Sequence, residues 1–502
     1  MAAARSGPDT EPQTHRGAIP MTEHSEERRR WLALLVLCLG VLMIVLDSTI
    51  VNVALPSIRA DLGFSETALV WVVNAYMLAY GGLLLLGGRL GDLFGHRRLF
   101  LFGIAAFTVS SLACGVAGSQ PLLVVARSVQ GLAGAVVSAA SLSLIMGLFA
   151  SPAERARAMG VYGFVCAGGG SLGVLLGGLL TSTLSWHWVF LVNLPIGVAV
   201  YLLCLRLLPA DGAGAEQGRL DVAGALAITA SLMLAVYAVV GGNEAGWTSA
   251  RTLGLLATAA ILLAAFAALE ARVSHPLVPL GLLRLRNLAV ANIVGVLWAA
   301  AMFTWFFMEA LYLQQVLGYG PFEVGLAFLP ANLVMAGCSL GLSARIVMRF
   351  GIRGPIAAGL LLAGAGLALF ARAPEAGVFW IDVLPGMCLL GLGAGIALNP
   401  VLLAAMNDVG PGEAGLASGI VNTSFMMGGA LGLAVLASLA AARGDALRAA
   451  GTNAAAALNG GYQLAFGLGA GCAVAAALLA AALLRIAAPR EGAPAAQHTI
   501  SP

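Results

Sequence analysis

The sequence predicts an all-α integral membrane protein of two six-helix bundles with two extra spans between them. Three observations predict it. First, 60% of the 502 residues are hydrophobic and only 10% are charged, with a mean hydropathy of +0.94. A water-soluble core cannot take in that much apolar surface, so lipid is the solvent for most of the chain. Second, apolar runs of about 20 residues, the length that crosses a bilayer, recur along the chain. Third, a short charged hinge occurs twice. Gly88-Arg89-Leu90-Gly91-Asp92-Leu93-Phe94-Gly95-His96-Arg97-Arg98 is matched by Arg345 to Arg353, with Arg, Phe, Gly and Arg in the same places. A repeated hinge implies a duplicated bundle, and duplicated bundles in membranes rock about a central site.

Taken in order, fourteen apolar spans are expected near 31–55, 69–88, 99–118, 121–147, 157–180, 187–207, 221–241, 251–270, 288–314, 323–344, 355–371, 379–403, 416–440 and 461–485. Residues 1–30 read as a disordered cytoplasmic tail with no secretory signal. The first bundle covers 31–207, a linker and two extra spans 208–287, the second bundle 288–485, and a polar tail 486–502. All 26 basic residues are Arg. Arg28, Arg29, Arg30, Arg97, Arg98, Arg155, Arg157, Arg206, Arg219, Arg272, Arg284, Arg286, Arg345, Arg349 and Arg353 fall on the N-terminal side, against Arg59, Arg251, Arg372, Arg443 and Arg448 opposite. The positive-inside rule then places both termini in the cytoplasm. The lack of Lys beside abundant Ala and Gly points to a GC-rich bacterial genome, hence a bacterial plasma membrane. A net charge of +3 gives no case for nucleic acid. The seven cysteines sit in apolar runs without CxxC spacing and read as packing residues.

Two opposite charges lie deep in the first bundle. Asp47 is about eight residues from the outer end of span 1, roughly 12 Å at helical rise, and Arg127 about six residues, roughly 9 Å, into span 4. An intramembrane carboxylate is costly and functional by default; these two groups pair with each other or face one cavity. In span 5, Gly169, Gly173 and Gly177 lie four apart on one face, beside Gly178, and permit close helix contact. Span 9 carries Met302, Trp305, Phe306 and Tyr312 on the face of Glu309. Aromatics around a carboxylate suit a flat, cationic, apolar molecule; the other reading is an aromatic belt at the outer interface.

These stretches resemble the 14-spanner drug:proton antiporter branch of the major facilitator superfamily, the EmrB/QacA-type exporters. The resemblance covers nearly the whole chain. The span 2–3 hinge is similar to the superfamily's signature loop, Asp47–Pro56 and Arg127–Ala135 to the branch's span 1 and span 4 motifs, and Gly169–Gly178 to its antiporter motif. Trp186–Pro195, Tyr312–Gln315 and Gly415–Gly419 also resemble the branch. The chain departs from the pattern with Val174 in place of the motif's proline, Met348 where the first hinge has Asp92, and Phe425-Met426-Met427 where polar residues are usual.

The resemblance implies a major facilitator fold and proton-coupled efflux of drugs, antibiotics or similar small apolar or cationic compounds. The alternative is a transporter of a metabolite such as an amino acid or lipid. Enzyme chemistry is not expected: no metal-ligand cluster, Walker-type loop, paired catalytic carboxylates or nucleophile elbow is present, and no cofactor is called for. Asp47 is the expected proton carrier, tuned by Arg127. Gly88, Asp92, Gly95, Arg97, Arg98 and Glu154 form the expected cytoplasmic latch. Glu309, Trp305, Tyr312, Met302, Asn332, Asn422 and Gln130 are the expected substrate-cavity residues, with Asn74 and Asn399 as further polar candidates. The expected partners are the bilayer, protons and a small-molecule substrate, with the protein acting as a monomer.

Overall fold

Helix is what a lipid solvent demands, because only a helix satisfies its own backbone groups within one segment. The structure, a computed structural model, describes residues 23–149, 151–208, 222–273, 276, 281–410 and 413–485. Among these residues every regular element is helical. Pieces separated by one residue or one π turn share a label below. They are α1 (Glu23–Leu62), α2 (Val70–Phe94), α3 (His96–Gly115), α4 (Gln120–Leu148) and α5 (Pro152–Thr183). Next come α6 (Trp188–Leu207), α7 (Val222–Ala245), α8 (Ala250–Glu270) and α9 (Arg286–Val316). The broken α10 runs through Pro321–Ala327, Leu329–Gly337, a π turn at Cys338–Leu342, and Ser343–Phe350. The chain closes with α11 (Arg353–Phe370), α12 (Phe379–Met406), α13 (Ala414–Ala449) and α14 (Ala454–Leu483).

Twelve helices among the described residues are long and apolar enough to cross a membrane. The expected second and tenth spans appear as shorter apolar stretches, Val70–Leu84 and Pro321–Gly337. In α10 the run is cut at Phe328, just before Pro330, and again by the π turn. At the chain's start, helix begins at Glu23 and so takes in 23–30, which the sequence assigned to a disordered tail. Glu26 four residues before Arg30 is a favourable helical spacing, with the acid nearer the N-terminus. The last eight residues of that tail are therefore the first turns of α1.

Packing repeats along the chain. α1 lies on α5 as α9 lies on α13; α2 on α4 as α10 on α12; α3 on α4 as α11 on α12. The close approaches repeat too. A Cβ on Gly131 of α4 would come within 2.3 Å of the Tyr76 carbonyl on α2, and one on Gly391 of α12 within 2.2 Å of the Ala331 carbonyl on α10. Both hinges turn on a glycine in the left-handed region, Gly95 at φ 91° and Gly351 at φ 72°, where a side chain would be strained. α7 and α8 pack on each other, with α7 against α2 and α13. The outward side chains of α8, Leu253, Ile261 and Leu263, are exposed, as a helix facing hydrocarbon requires.

Candidate functional site

The deep charges meet. Asp47 and Arg127 are 0% and 1% exposed and form a direct ion pair, Arg127 Nη1 to Asp47 Oδ2. The other carboxylate oxygen, Oδ1, accepts from Gln130 Nε2 at 2.7 Å and from Asn193 Nδ2 at 3.0 Å. Arg127 is equally occupied. Its Nε donates to the Val72 carbonyl of α2 at 2.9 Å and its Nη1 to Gln130 Oε1 at 2.7 Å. The guanidinium lies 4.4 Å from the Tyr76 ring centroid and 5.6 Å from that of Phe190. Gln130 also donates to Ser111 Oγ at 2.7 Å. One network thus ties α1, α2, α3, α4 and α6 together. A buried pair is tolerable only when its remaining donors and acceptors are satisfied in this way.

The glycine face of α5 is pressed against the same part of α1. A Cβ on Gly173 would meet Thr49 Oγ1 at 2.0 Å and the Leu46 carbonyl at 2.9 Å; one on Gly177 would meet the Ile50 carbonyl at 2.4 Å. Gly169 faces Val45 and Leu42. Gly178 points the other way, 2.4 Å from the Pro321 carbonyl at the start of α10. α5 therefore touches the helix bearing Asp47 with one face and the second half of the chain with the next.

At the hinge, Arg97 Nη2 donates to the Leu205 carbonyl at 3.0 Å. Gly95 N–H caps α2 on the Gly91 carbonyl at 2.9 Å. Gly88 and Asp92 lie on α2, and the Asp92 side chain lies outside the described residues. The carboxylate of Glu154 is 3.5 Å from Arg30 Nη2, and Arg29 holds the Arg206 and Leu207 carbonyls at 3.2 Å each. Arg98 is exposed.

At the far end, polar contacts join the two halves. Gln315 of α9 accepts from Arg59 of α1 at 3.2 Å and from the Tyr462 hydroxyl of α14 at 3.3 Å. Glu66 lies 3.7 Å from Arg59 and 3.8 Å from Arg448. Gln314 donates to the Val53 carbonyl at 3.0 Å and Asn74 to the Ala430 carbonyl at 2.9 Å. The arginines that the positive-inside count sets opposite the termini and the Gln314-Gln315 pair were visible in the sequence, but their mutual contacts were not, because Arg59 and Gln315 lie 256 residues apart.

A cavity in the second half is lined by Trp298, Met302, Trp305 and Phe306 of α9, Asn332 and Met335 of α10, and Leu390 and Gly391 of α12. It gathers Met302, Trp305 and Asn332 from the predicted set and adds Trp298, which the sequence reading missed. Trp298 lies four residues before Met302, so the same periodicity would have found it. Glu309 is fully buried on this face of α9, and neither carboxylate oxygen has a hydrogen-bond partner among the described residues. The other predicted cavity residues sit elsewhere. Gln130 belongs to the ion-pair network, the Tyr312 hydroxyl donates to the Pro374 carbonyl at 2.8 Å, and exposed Asn422 binds its own helix at Ser418. Asn399 binds Ser339.

The family model described as Major Facilitator Superfamily matches residues 37–433. The chain is 41% identical over 464 residues to the puromycin resistance protein pur8 of Streptomyces alboniger, covering 91% of this chain and 92% of that one. It is 39% identical to the cephamycin export protein CmcT of Amycolatopsis lactamdurans, covering 84% and 87%. Among solved structures, an auto-inhibited peptide transporter of the POT family superposes with a TM-score of 0.64 at 18% identity, covering 93% of this chain and 99% of that one; this likeness concerns the fold.

Proposed function

We propose a mechanism from one premise: the chain belongs to the Major Facilitator Superfamily. It is a multi-pass membrane transporter and not an enzyme, and it exports drugs or antibiotics, as its resistance and export relatives do. The finer reading is an antiporter that exchanges its substrate for protons across the bacterial plasma membrane. It has fourteen spans in the order six, two, six, both termini in the cytoplasm, and works as a monomer. The repeated helix pairings and the two positive-φ hinge glycines support the duplicated-bundle part of this reading.

The observation that carries proton coupling is the buried Asp47–Arg127 pair. A proton on Asp47 removes the charge that holds Arg127. Arg127 also grips the Val72 carbonyl of α2, two residues before Asn74, which reaches Ala430 on α13. Protonation of one side chain thereby loosens contacts of α1 with α4 and α6, and alters a helix that bridges the halves. The α5 glycines let α1 slide against α5 as this happens, because no side chains interlock there. With both termini in the cytoplasm, this reading makes the clasp through Gln315 an outward-closed state that loads substrate from the cytoplasm. Gly88, Gly95, Asp92, Arg97, Arg98 and Glu154 act at the opposite end as the latch that closes when the clasp opens.

The test is expression in a bacterium lacking its own pumps, scored for resistance across a compound panel with and without a proton uncoupler. Resistance that the uncoupler abolishes is expected; resistance that persists after the proton gradient collapses overturns the antiport.

A further inference from the structure

Beside the ion pair lies a phenol whose hydroxyl the packing leaves unused. The Tyr76 ring of α2 covers the Arg127 guanidinium at 4.4 Å. Its hydroxyl is buried without a hydrogen-bond partner among the described residues, and the residue is 3% exposed. A native interior rarely leaves such a group unmet, and a tyrosine hydroxyl can both give and take a proton. Gly134 of α4 makes its room: a Cβ there would lie 3.2 Å from the Tyr76 hydroxyl and 3.3 Å from Cδ2 of Tyr80. Tyr80 follows one turn nearer the α2–α3 hinge. Its ring lies within 17° of parallel to that of Tyr76, with centroids 5.9 Å apart, and its hydroxyl donates to Ser138 Oγ of α4 at 3.0 Å. On α4, Arg127, Gln130, Gly134 and Ser138 follow at steps of three and four residues and so share one face. Polar atoms therefore descend the α2–α4 seam a turn at a time, from the buried Asp47 network, past the Tyr76 hydroxyl, to partly exposed Tyr80 and Ser138. The charged groups at the head of this row are Asp47 and Arg127, with the Cys114 thiol of α3 3.6 Å from Gln130 Oε1. Beside it α3 sets Phe107 against Gly134, α13 sets Met426 and Met427 against Gly81, and α7 sets Thr229 against Gly82, none of which titrates.

We infer that Tyr76, Tyr80 and Ser138 are a hydroxyl relay that carries the proton between Asp47 and the hinge end of the first half. The inference rests on the antiport reading above, in which the hinge end is cytoplasmic and is where the proton is released. Water joins the rungs. Two O–H···O bonds of about 2.8 Å in series span about 5.6 Å, which matches rings 5.9 Å apart, so one water bridges the two phenols. The carboxyl of Asp47 gives its proton to a water and the water passes one to Tyr76 Oη. Tyr76 hands its own hydrogen through the bridging water to Tyr80 Oη, Tyr80 hands its own to Ser138 Oγ, and Ser138 gives one to water at the hinge end. Each hydroxyl gains one O–H bond and loses one, so none is left charged, and one proton arrives for one that leaves Asp47. The bond that Tyr80 makes to Ser138 already points this way. The Tyr76 ring has a second part: it holds the Arg127 cation while Asp47 is neutral, so the arginine stays beside the carboxylate it must meet again.

The test follows the proton on Asp47 by infrared spectroscopy. Purified full-length protein in lipid vesicles is given a pH step, and the carboxylic C=O stretch that Asp47→Asn lacks is timed. Tyr76→Phe keeps the ring over Arg127 and removes the hydroxyl. The band should reach the wild-type amplitude at the wild-type midpoint pH, but severalfold more slowly. Tyr80→Phe and Ser138→Ala should slow it likewise. A wild-type rate in all three variants overturns the relay and leaves the antiport standing. A shifted midpoint at an unchanged rate also overturns it, because that is the mark of a residue that only packs against the pair. If Tyr76→Phe fails to accumulate, Tyr80→Phe and Ser138→Ala decide on the same two readouts. Wild type that shows no such band removes Asp47 as the proton carrier, and the relay with it.

Discussion

Replacing Asp47 with Asn tests the network at its most loaded point. The carboxylate receives three donors, from Arg127, Gln130 and Asn193. The amide oxygen can still accept from the last two. The amide NH2 cannot accept from Arg127, which then stands charged and uncompensated in a site that is 1% exposed. Removing one partner of a buried pair costs about 3–5 kcal/mol. Arg127 keeps the Val72 carbonyl, Gln130 Oε1 and the Tyr76 ring, so the lower figure, about 3 kcal/mol, is expected here. The measurement is unfolding by sodium dodecyl sulfate in mixed micelles, beside proton-driven efflux from proteoliposomes at matched protein. Asp47→Asn should lose stability by that amount and lose uphill efflux, while substrate exchange without a proton gradient continues. Adding Arg127→Gln removes the stranded charge, so most of the stability should return while coupling stays lost. The two effects then separate in a double-mutant cycle. Proton-driven efflux that survives Asp47→Asn, or a double variant no more stable than the single one, refutes the reasoning.

Other expectations concern contacts rather than charge. Gly177→Val places a branched side chain where even a Cβ would lie 2.4 Å from the Ile50 carbonyl; overpacking of this kind costs about 1–3 kcal/mol, and efflux should fall severalfold with the protein still inserted, measured as transport per copy. Gln315→Ala removes the acceptor shared by Arg59 and Tyr462, worth about 1 kcal/mol; spin labels at Ala60 and Ala450, with the native cysteines replaced, should show a larger outward-open fraction, and an unchanged distance distribution would reject the clasp. Asp92→Asn should slow turnover with substrate affinity nearly intact; affinity that collapses while cycling keeps its rate would place Asp92 outside the latch. Glu154→Gln breaks a partly exposed pair at 3.5 Å, a class worth up to about 1 kcal/mol, so stability should change little and only the closing step should slow.

The duplicated plan was legible because its constraints are local. A hinge needs glycine at the residue of positive φ and arginines near the membrane face, and both copies keep these at the same spacing. The four-residue glycine period told that α5 has a close-packing face, yet not which helix it meets; only the structure puts Leu46, Thr49 and Ile50 there. Periodicity also misled at one point. Tyr312 keeps the helical spacing from Glu309, since its N–H bonds the Met308 carbonyl and α9 widens into a π turn only from Tyr312 onward, but a shared face does not say where the tip of a long side chain goes. Its hydroxyl is spent on the Pro374 carbonyl instead. Gln130 was set in the cavity as one more polar residue in an apolar span. Its place three residues after Arg127 puts it on the arginine's face, and there it binds both Asp47 and Ser111.

What the sequence could not distinguish is the state of its two deep acids. Depth along the spans sets Arg127 beside Asp47, to pair with it or to face one cavity, and offers Glu309 no cation, but it names none of the other donors. The two acids' environments are opposite, because the partners come from remote parts of the chain. Asn193 is 146 residues from Asp47 and Arg127 is 80, whereas the residues packed around Glu309 leave both its oxygens unmet. A carboxylate bound by three donors responds to a proton by releasing the helices those donors belong to. A carboxylate with no donor has nothing to release, and what changes its energy is a charge brought to it. On the proposed exchange for protons, that difference assigns the conversion of a proton into motion to the first half's acid, and leaves Glu309 a buried acid without a donor among the described residues.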